Sequence, residues 1–433
     1  MKKKVAFYTL GCKVNQYETN AMEKIFKSGG YEVVPFEEYA DVYVINTCTV
    51  TSVGDKKSRQ MLRRAKGQNE NAIIAAVGCM AQISPDEIEK LGIADVIVGT
   101  NHKSEILSAI ENAGREKAWL IDDVSKTKIF EETPLDTFEG RERAYIKIQE
   151  GCDRFCSYCI IPYARGAVRS RSEAEILAEA RRLGEAGFCE IVLTGIHVAS
   201  YGRGTDKNLA SLLKKLSEIE SIERIRTSSI DPLAFTDEFI DTVASLPKVC
   251  PHFHISLQSG SEEVLRKMNR RYTPDMYYEI LCKLRAKIPD VAITTDVITG
   301  FPHETEEEFL KSCAFVEKCG FASVHVFPYS ERRGTPAASF PCSVPKNVRA
   351  ERAKKMANIA EKSKLSFMKE FVGKKMHVLI EQKNHDGYFE GFTDNYIKTR
   401  VSGSVMPGRI YEVLIIGIND ECLTGDYIDK YGK

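Results

Sequence analysis

The chain has 433 residues, 43% of them apolar and 28% charged, the balance of an ordinary globular protein with room for about three domains. Basic and acidic residues number 61 each, so no global field draws the protein onto a polyanion, and any nucleic-acid contact must come from local patches. No apolar run approaches a transmembrane helix, and the stretch after Met1-Lys2-Lys3-Lys4 stops at Lys13, too short for a signal peptide, so the expectation is a cytoplasmic protein that engages no membrane. Thirteen cysteines without an export signal point to metal or redox chemistry rather than a disulfide framework.

The first hundred residues alternate short apolar runs with helical periodicity. The pattern predicts strands at 5–10, 31–34, 42–46, 73–77 and 95–98, with helices at 15–27 and 55–66, hence a parallel sheet with helices on both faces. Cys12, Cys48 and Cys79 each follow one of these strands, on the carboxyl edge where open α/β sheets bind ligands. Their wide separation excludes a local knuckle. Two readings stay open: unrelated strand-end thiols, or a three-thiolate metal site assembled by the fold. The helix at 55–66 carries Lys56, Lys57, Arg63 and Arg64, which suit either a solvated face or RNA phosphates.

From 144 onward, strand-helix units recur at roughly thirty-residue intervals. Strands are predicted at 144–149, 189–194, 225–229, 252–257, 292–298 and 323–327, with helices such as 172–186 and 304–318 between them. Six units imply an incomplete (β/α) barrel, whose chemistry belongs on loops after the strands. Cys152, Cys156 and Cys159 follow the first of these strands with the spacing Cys-x3-Cys-x2-Cys. A closed zinc site or a ferredoxin cluster takes four ligands. Three thiolates on a four-iron cubane leave one iron open to chelate a small molecule and pass it an electron. Later strand ends offer groups suited to holding a polar small molecule: Thr194 and Gly195, Ser256 and Gln258, Ile298 and Gly300. Cys189, Cys250, Cys282, Cys313, Cys319, Cys342 and Cys422 are scattered, and most read as small buried hydrophobes.

A helix at 345–370 with a basic bias follows, then short strands at 375–381, 387–392, 396–401, 409–415 and 422–428 separated by turns. Such strands form a small β-barrel, a class that often grips oligonucleotides. The expected organisation is 1–115, 138–340, a connecting helix at 341–370, and 371–433.

Taken together, this order of domains resembles the radical S-adenosylmethionine (SAM) methylthiotransferase family over essentially the full chain. Leu10-Gly11-Cys12 with Asn15, Asn46-Thr47-Cys48 and Val77-Gly78-Cys79 look like its N-terminal cluster motifs, and Cys152, Cys156 and Cys159 like its radical SAM motif. The last segment is similar to its RNA-binding TRAM module, although acidic residues there slightly outnumber basic ones, so the two basic helices are expected to help hold RNA. The run from Gly151 to Gly166 most resembles the branch acting on threonylcarbamoyladenosine beside the tRNA anticodon.

The resemblance implies two 4Fe–4S clusters, SAM, an external one-electron donor and an external sulfur source. SAM bound at the Cys152 cluster would yield a 5′-deoxyadenosyl radical that takes the hydrogen from C2 of the adenine. The cluster on Cys12, Cys48 and Cys79 would deliver the methylthio sulfur. Tyr158 is expected against the SAM adenine, and Arg154 or Arg165 against the substrate carboxylate. Two alternatives remain: the same chemistry on isopentenyladenosine in tRNA or on a ribosomal-protein aspartate, or a non-catalytic iron-sulfur protein that binds RNA.

Overall fold

The computed structural model describes residues 2–113, 118–135, 142–384 and 386–428. The expected boundaries at 115 and 138 lie outside the described residues.

The N-terminal unit is one parallel sheet in the order β2-β1-β3-β4-β5-β6. Its strands are β1 (Lys4–Thr9), β2 (Glu32–Val34), β3 (Val42–Thr47), β4 (Ile73–Gly78), β5 (Val96–Val98) and β6 (Ala118–Leu120). β3 is buried along its whole length because both sheet faces are covered, which is why its sequence reads as a continuous apolar run. The helices α1 (Lys13–Ser28) and α2 (Ser52–Gln68) follow β1 and β3, and the short α3 (Cys79–Ile83) follows β4. Thr51 starts α2 by accepting the Gly54 amide at 3.1 Å. The edge strand β6 was not expected: three residues with a partly exposed Trp119 carry no alternation for a sequence pattern to report.

The second unit contains six parallel strands: β7 (Arg143–Glu150), β9 (Glu190–Gly195), β10 (Arg224–Thr227), β11 (His252–His254), β12 (Ala292–Thr299) and β13 (Ser323–Pro328). This is the expected incomplete barrel. A two-residue antiparallel strand, β8 (Arg169–Ser170), borders β7 and follows the helix α4 (Ile161–Arg165). Between β10 and β11 the ladder reduces to single bridges such as Ile230 with Ile255. β11 is shorter than expected because side chains replace its ladder. Tyr277 Oη and Thr295 Oγ1 donate to the Ile255 carbonyl at 2.8 and 2.5 Å, and Tyr272 Oη donates to that of Ser256 at 2.7 Å.

The long helix α5 (Lys346–Lys369) packs across β13 and leads to a closed barrel in the order β14-β15-β16-β18-β17. Its strands are β14 (Lys375–Lys383), β15 (Phe389–Thr393), β16 (Lys398–Ser402), β17 (Ile410–Asn419) and β18 (Cys422–Tyr427). This small barrel closes the amino-terminal mouth of the larger one. The ring of Tyr396 lies 4.8 Å from that of His252, with the Arg226 and Arg143 guanidinium groups 4.6 and 5.1 Å from its centre. Arg226 Nη1 donates to the Asp394 carbonyl at 3.0 Å, and Arg224 Nη2 to that of His377 at 2.8 Å. Tyr396→Ala is therefore expected to cost about 2–3 kcal/mol by loss of ring packing and cation–π contact. Calorimetry should show a lower Tm, and proteolysis a faster release of the terminal barrel.

Candidate active site

Cys12 stands just before α1, Cys48 just after β3, and Cys79 opens α3 after β4. Because β1, β3 and β4 are neighbours, their carboxyl ends set the three cysteines side by side. Side-chain amides hold these loops together. Asn15 Nδ2 donates to the carbonyls of Leu10 and Thr47 at 2.7 and 3.0 Å, and Asn46 Nδ2 donates back to the Asn15 carbonyl at 2.9 Å. Thr47 Oγ1 donates to the Val77 carbonyl at 2.6 Å and accepts the Met80 amide at 3.2 Å. Gly11 has φ +98°, and a Cβ there would stand 2.9 Å from Cys48 Sγ, so only glycine leaves room beside that sulfur. Burial pushes the Cys79 thiol up to about 12, with Cys12 and Cys48 adding to the rise, and burial raises Cys48 as well. Cys48 and Cys79 are buried and Cys12 is exposed at the edge, and as a donor set the three thiols fit an iron-sulfur cluster.

The second set lies on the loop after β7. Gly151, at φ +76°, brings its backbone so close to Ala167 that a Cβ would meet that carbonyl oxygen at 1.9 Å. Cys152 N donates to the Gly166 carbonyl at 3.0 Å, and Cys159 N to that of Cys156 at 2.9 Å. Burial, reinforced by Cys156, lifts Cys152 to about 11 and Cys159 to about 12. Arg270 Nη1 approaches Cys156 Sγ at 3.4 Å. Iron binding would displace the protons of these buried thiols, and the adjacent Arg270 cation favours the thiolates that result. Of the remaining seven cysteines, Cys282 and Cys342 are exposed and five are buried.

The strand-end residues fall into distinct surroundings. Tyr158 and Ile298 pack against one apolar cluster with Phe301 and Tyr329, the Tyr158 ring meeting Phe301 edge-on at 6.5 Å. Thr194 is buried beside Lys147, and a Cβ on Gly195 would stand 2.9 Å from the Gln149 carbonyl oxygen. The Ser256 carbonyl is taken by Arg270 Nη2 at 3.1 Å, besides Tyr272. Gln258, at φ +73°, bridges to β12 through its own backbone, with its amide donating to Asp296 and its carbonyl accepting from Ile298. Gly300 is fixed by packing, since a Cβ there would lie 2.4 Å from Arg349 Cγ.

A small, open cleft lies beside the second set, lined by Arg154, Cys156, Asp231, Leu233, Asn269, Arg270 and Arg271. Burial alone would raise Asp231, but His197, Arg270 and Arg154 draw it down to about 2. Arg154 is part-buried, its Nε 3.4 Å from His197 Nε2 and 3.9 Å from Asp231 Oδ2. Asp231, His197 and Arg270 were not singled out from sequence. The pair Arg270-Arg271 in a short loop after a helix was the available signal.

Lys56, Lys57, Arg63 and Arg64 on α2 are exposed, and Arg64 lies 3.6 Å from Glu37. Arg165 does not meet its expectation. It is fully buried, and its guanidinium bonds Glu18, Glu150 and Asn15, which leaves no face for a substrate. The basic bias of α5 is also partly internal. Arg349 bonds the carbonyls of Val344 and Tyr329, and Arg352 pairs with Glu304.

Three thiols following the first strand of an incomplete barrel define the radical SAM class, and residues 146–316 match the Radical SAM superfamily. Residues 4–99 match a family described as Uncharacterized protein family UPF0004. The chain is 44% identical to the threonylcarbamoyladenosine tRNA methylthiotransferase MtaB of Bacillus subtilis, over 95% of this chain and 93% of that protein. It is 41% identical to the protein of the same name from Aquifex aeolicus, over 95% of this chain and all of that one. A tRNA-2-methylthio-N(6)-dimethylallyladenosine synthase of Thermoanaerobacter pseudethanolicus is 38% identical over 86% of this chain and 81% of its own length. Among solved structures, the radical S-adenosylmethionine methyltransferase TsrM of Kitasatospora setae shares the fold, with a TM-score of 0.57 at 16% identity over 78% of this chain and 77% of that one. The chain belongs to the radical SAM methylthiotransferase family.

Anaerobic reconstitution should give about eight irons per chain, four in each set. Replacing Cys152, Cys156 and Cys159 by Ala should leave about four and abolish SAM cleavage. Replacing Cys12, Cys48 and Cys79 should also leave about four while retaining some cleavage. Full iron content in the latter variant would show that the N-terminal thiols hold no cluster.

Proposed function

We propose that this chain adds a methylthio group to C2 of N6-threonylcarbamoyladenosine in tRNA, acting in the cytoplasm. The observation that carries the reading is the position of two three-cysteine sets at the carboxyl ends of strands in adjoining units, in a chain closely similar over its length to enzymes named for that reaction. Cys152, Cys156 and Cys159 would hold one 4Fe–4S cluster, and Cys12, Cys48 and Cys79 the other. Bound clusters and SAM supply radical cleavage and sulfur transfer, with electrons and sulfur drawn from external donors.

The chain's own residues position and enclose. Tyr158 and Ile298 present apolar surface fit for an adenine ring, and the covered barrel interior keeps water from a reactive intermediate. Arg154 and Arg271, which line the cleft, would meet the substrate's carboxylate. A dimethylallyl group has no charge to pair, so it would gain nothing from an arginine in that cleft. The non-catalytic alternative has no use for this arrangement.

Deletion of the gene is expected to remove 2-methylthio-threonylcarbamoyladenosine from hydrolysed cellular tRNA and leave 2-methylthio-isopentenyladenosine intact. Mass spectrometry of the nucleosides reads both, and the reverse pattern would move the chain to the other branch. Arg154→Ala should lower kcat/KM on the threonylcarbamoylated tRNA by about 10–100-fold, the worth of a hydrogen bond to a charged group. SAM cleavage without RNA should stay near wild type in that variant.

Charge reversal of Lys56, Lys57, Arg63 and Arg64 should weaken tRNA binding by about tenfold or more at low salt, with the difference shrinking as salt rises. Filter binding at two ionic strengths tests this. Equal affinities at low salt would return α2 to an ordinary solvated helix.

A further inference from the structure

Five ionisable side chains meet between the two cysteine sets with almost no water: Glu18 on α1, Lys103, Lys147 and Glu150 on β7, and Arg165 at the end of α4. Their exposures are 1, 1, 4, 3 and 0%. Arg165 Nη1 donates to Glu18 Oε1 at 2.6 Å and to Glu150 Oε2 at 3.1 Å, and Nη2 donates to Asn15 Oδ1 at 2.6 Å. Lys147 Nζ lies 2.8 Å from Glu18 Oε1 and 2.5 Å from Glu150 Oε2, while Lys103 Nζ lies 3.4 Å from Glu18 Oε1.

Three cations thus face two carboxylates. Arg169 and the outer Glu131, next in reach, add one charge of each sign and leave the surplus unchanged. An unmatched buried cation is strongly unfavourable, and an anion beside the group would relieve it. The remaining donor shows where it sits: Arg165 Nε–H is aimed at Cys79 Sγ, 3.2 Å away. A cysteine bound to a metal is a thiolate, and that sulfur supplies the missing charge.

Arg165 also reaches the other set. The carbonyl of its chain neighbour Gly166 accepts the Cys152 amide at 3.0 Å, and Glu150, held by its guanidinium, accepts the Gly151 amide at 3.2 Å.

We propose that Arg165 is a positioning residue between the two clusters: its Nε–H···S bond and its charge set the reduction potential of the N-terminal cluster, and its contacts hold that cluster in register with the Cys152 loop. Hydrogen bonds and positive charge at cluster sulfurs favour the reduced, more negative state, so Arg165 raises the potential. The inference rests on the two-cluster reading above and is independent of which nucleoside is modified.

The test is an EPR-monitored redox titration of full-length reconstituted protein carrying Cys152, Cys156 and Cys159→Ala, in which only the N-terminal cluster reports. Arg165→Met leaves Glu18 and Glu150 balanced by Lys103 and Lys147, and should shift the midpoint to lower potential. Arg165→Lys keeps the charge without the directed Nε donor and should fall between Met and wild type; it decides the matter if the Met variant does not fold. Lys103→Met removes a cation of the same group that does not touch the sulfur, and should stay closest to wild type. Unshifted midpoints in both Arg165 variants, or a shift in Lys103→Met as large as in Arg165→Met, would overturn the proposal. Iron for only one cluster in the unmutated protein would instead overturn the two-cluster reading, and the proposal with it.

Discussion

The contact on which the architecture turns is the buried ion group of Glu18, Lys147, Glu150 and Arg165. Breaking one member of such a group costs about 3–5 kcal/mol, because the charge left behind has neither water nor a partner. The group joins the N-terminal sheet to the barrel, since Glu18 belongs to α1 while Lys147 and Glu150 belong to β7. α1 is built for this duty. Val14, Tyr17, Glu18 and Ala21 lie on one helical stripe, and all are buried. Tyr17 Oη donates to the Thr133 carbonyl at 2.8 Å, so the same face also fastens the segment leading into the barrel.

A second clamp lies across the carboxyl face. Arg332, on the loop after β13, places Nη2 2.6 Å from both Thr49 Oγ1 and Asp55 Oδ2, beside the Cys48 loop. Thr100 Oγ1 donates to the Ala164 carbonyl at 2.8 Å between the two. The N-terminal unit is therefore held over the strand ends from several sides, which is what two metal sites acting on one substrate require: their separation is set by packed elements rather than by a linker.

The terminal barrel spends part of its surface on the opposite mouth, where Tyr396 and the Asp394 carbonyl meet Arg143 and Arg226. Arg349 and Arg352 of α5 are likewise turned inward. Charge that looks in sequence like a polyanion-binding surface is thus partly structural, and the basic face of α2 stands out as the exposed one near the Cys48 loop.

The sequence by itself determined the fold class, nearly every strand and the class of chemistry. Periodicity and ligand spacing are local properties, and glycines such as Gly11 and Gly151 mark local backbone demands. It placed Arg165 wrongly and did not show Asp231, His197 or Arg270 at the site. A lone basic residue at the end of a short helix carries no sign of whether it faces solvent or a carboxylate. Arg165 and Glu18 are 147 positions apart, and Arg165 and Cys79 are 86 apart. Only the closing of the sheet over the barrel brings them together, removes water, and turns an ordinary surface charge into the buried partner of a sulfur.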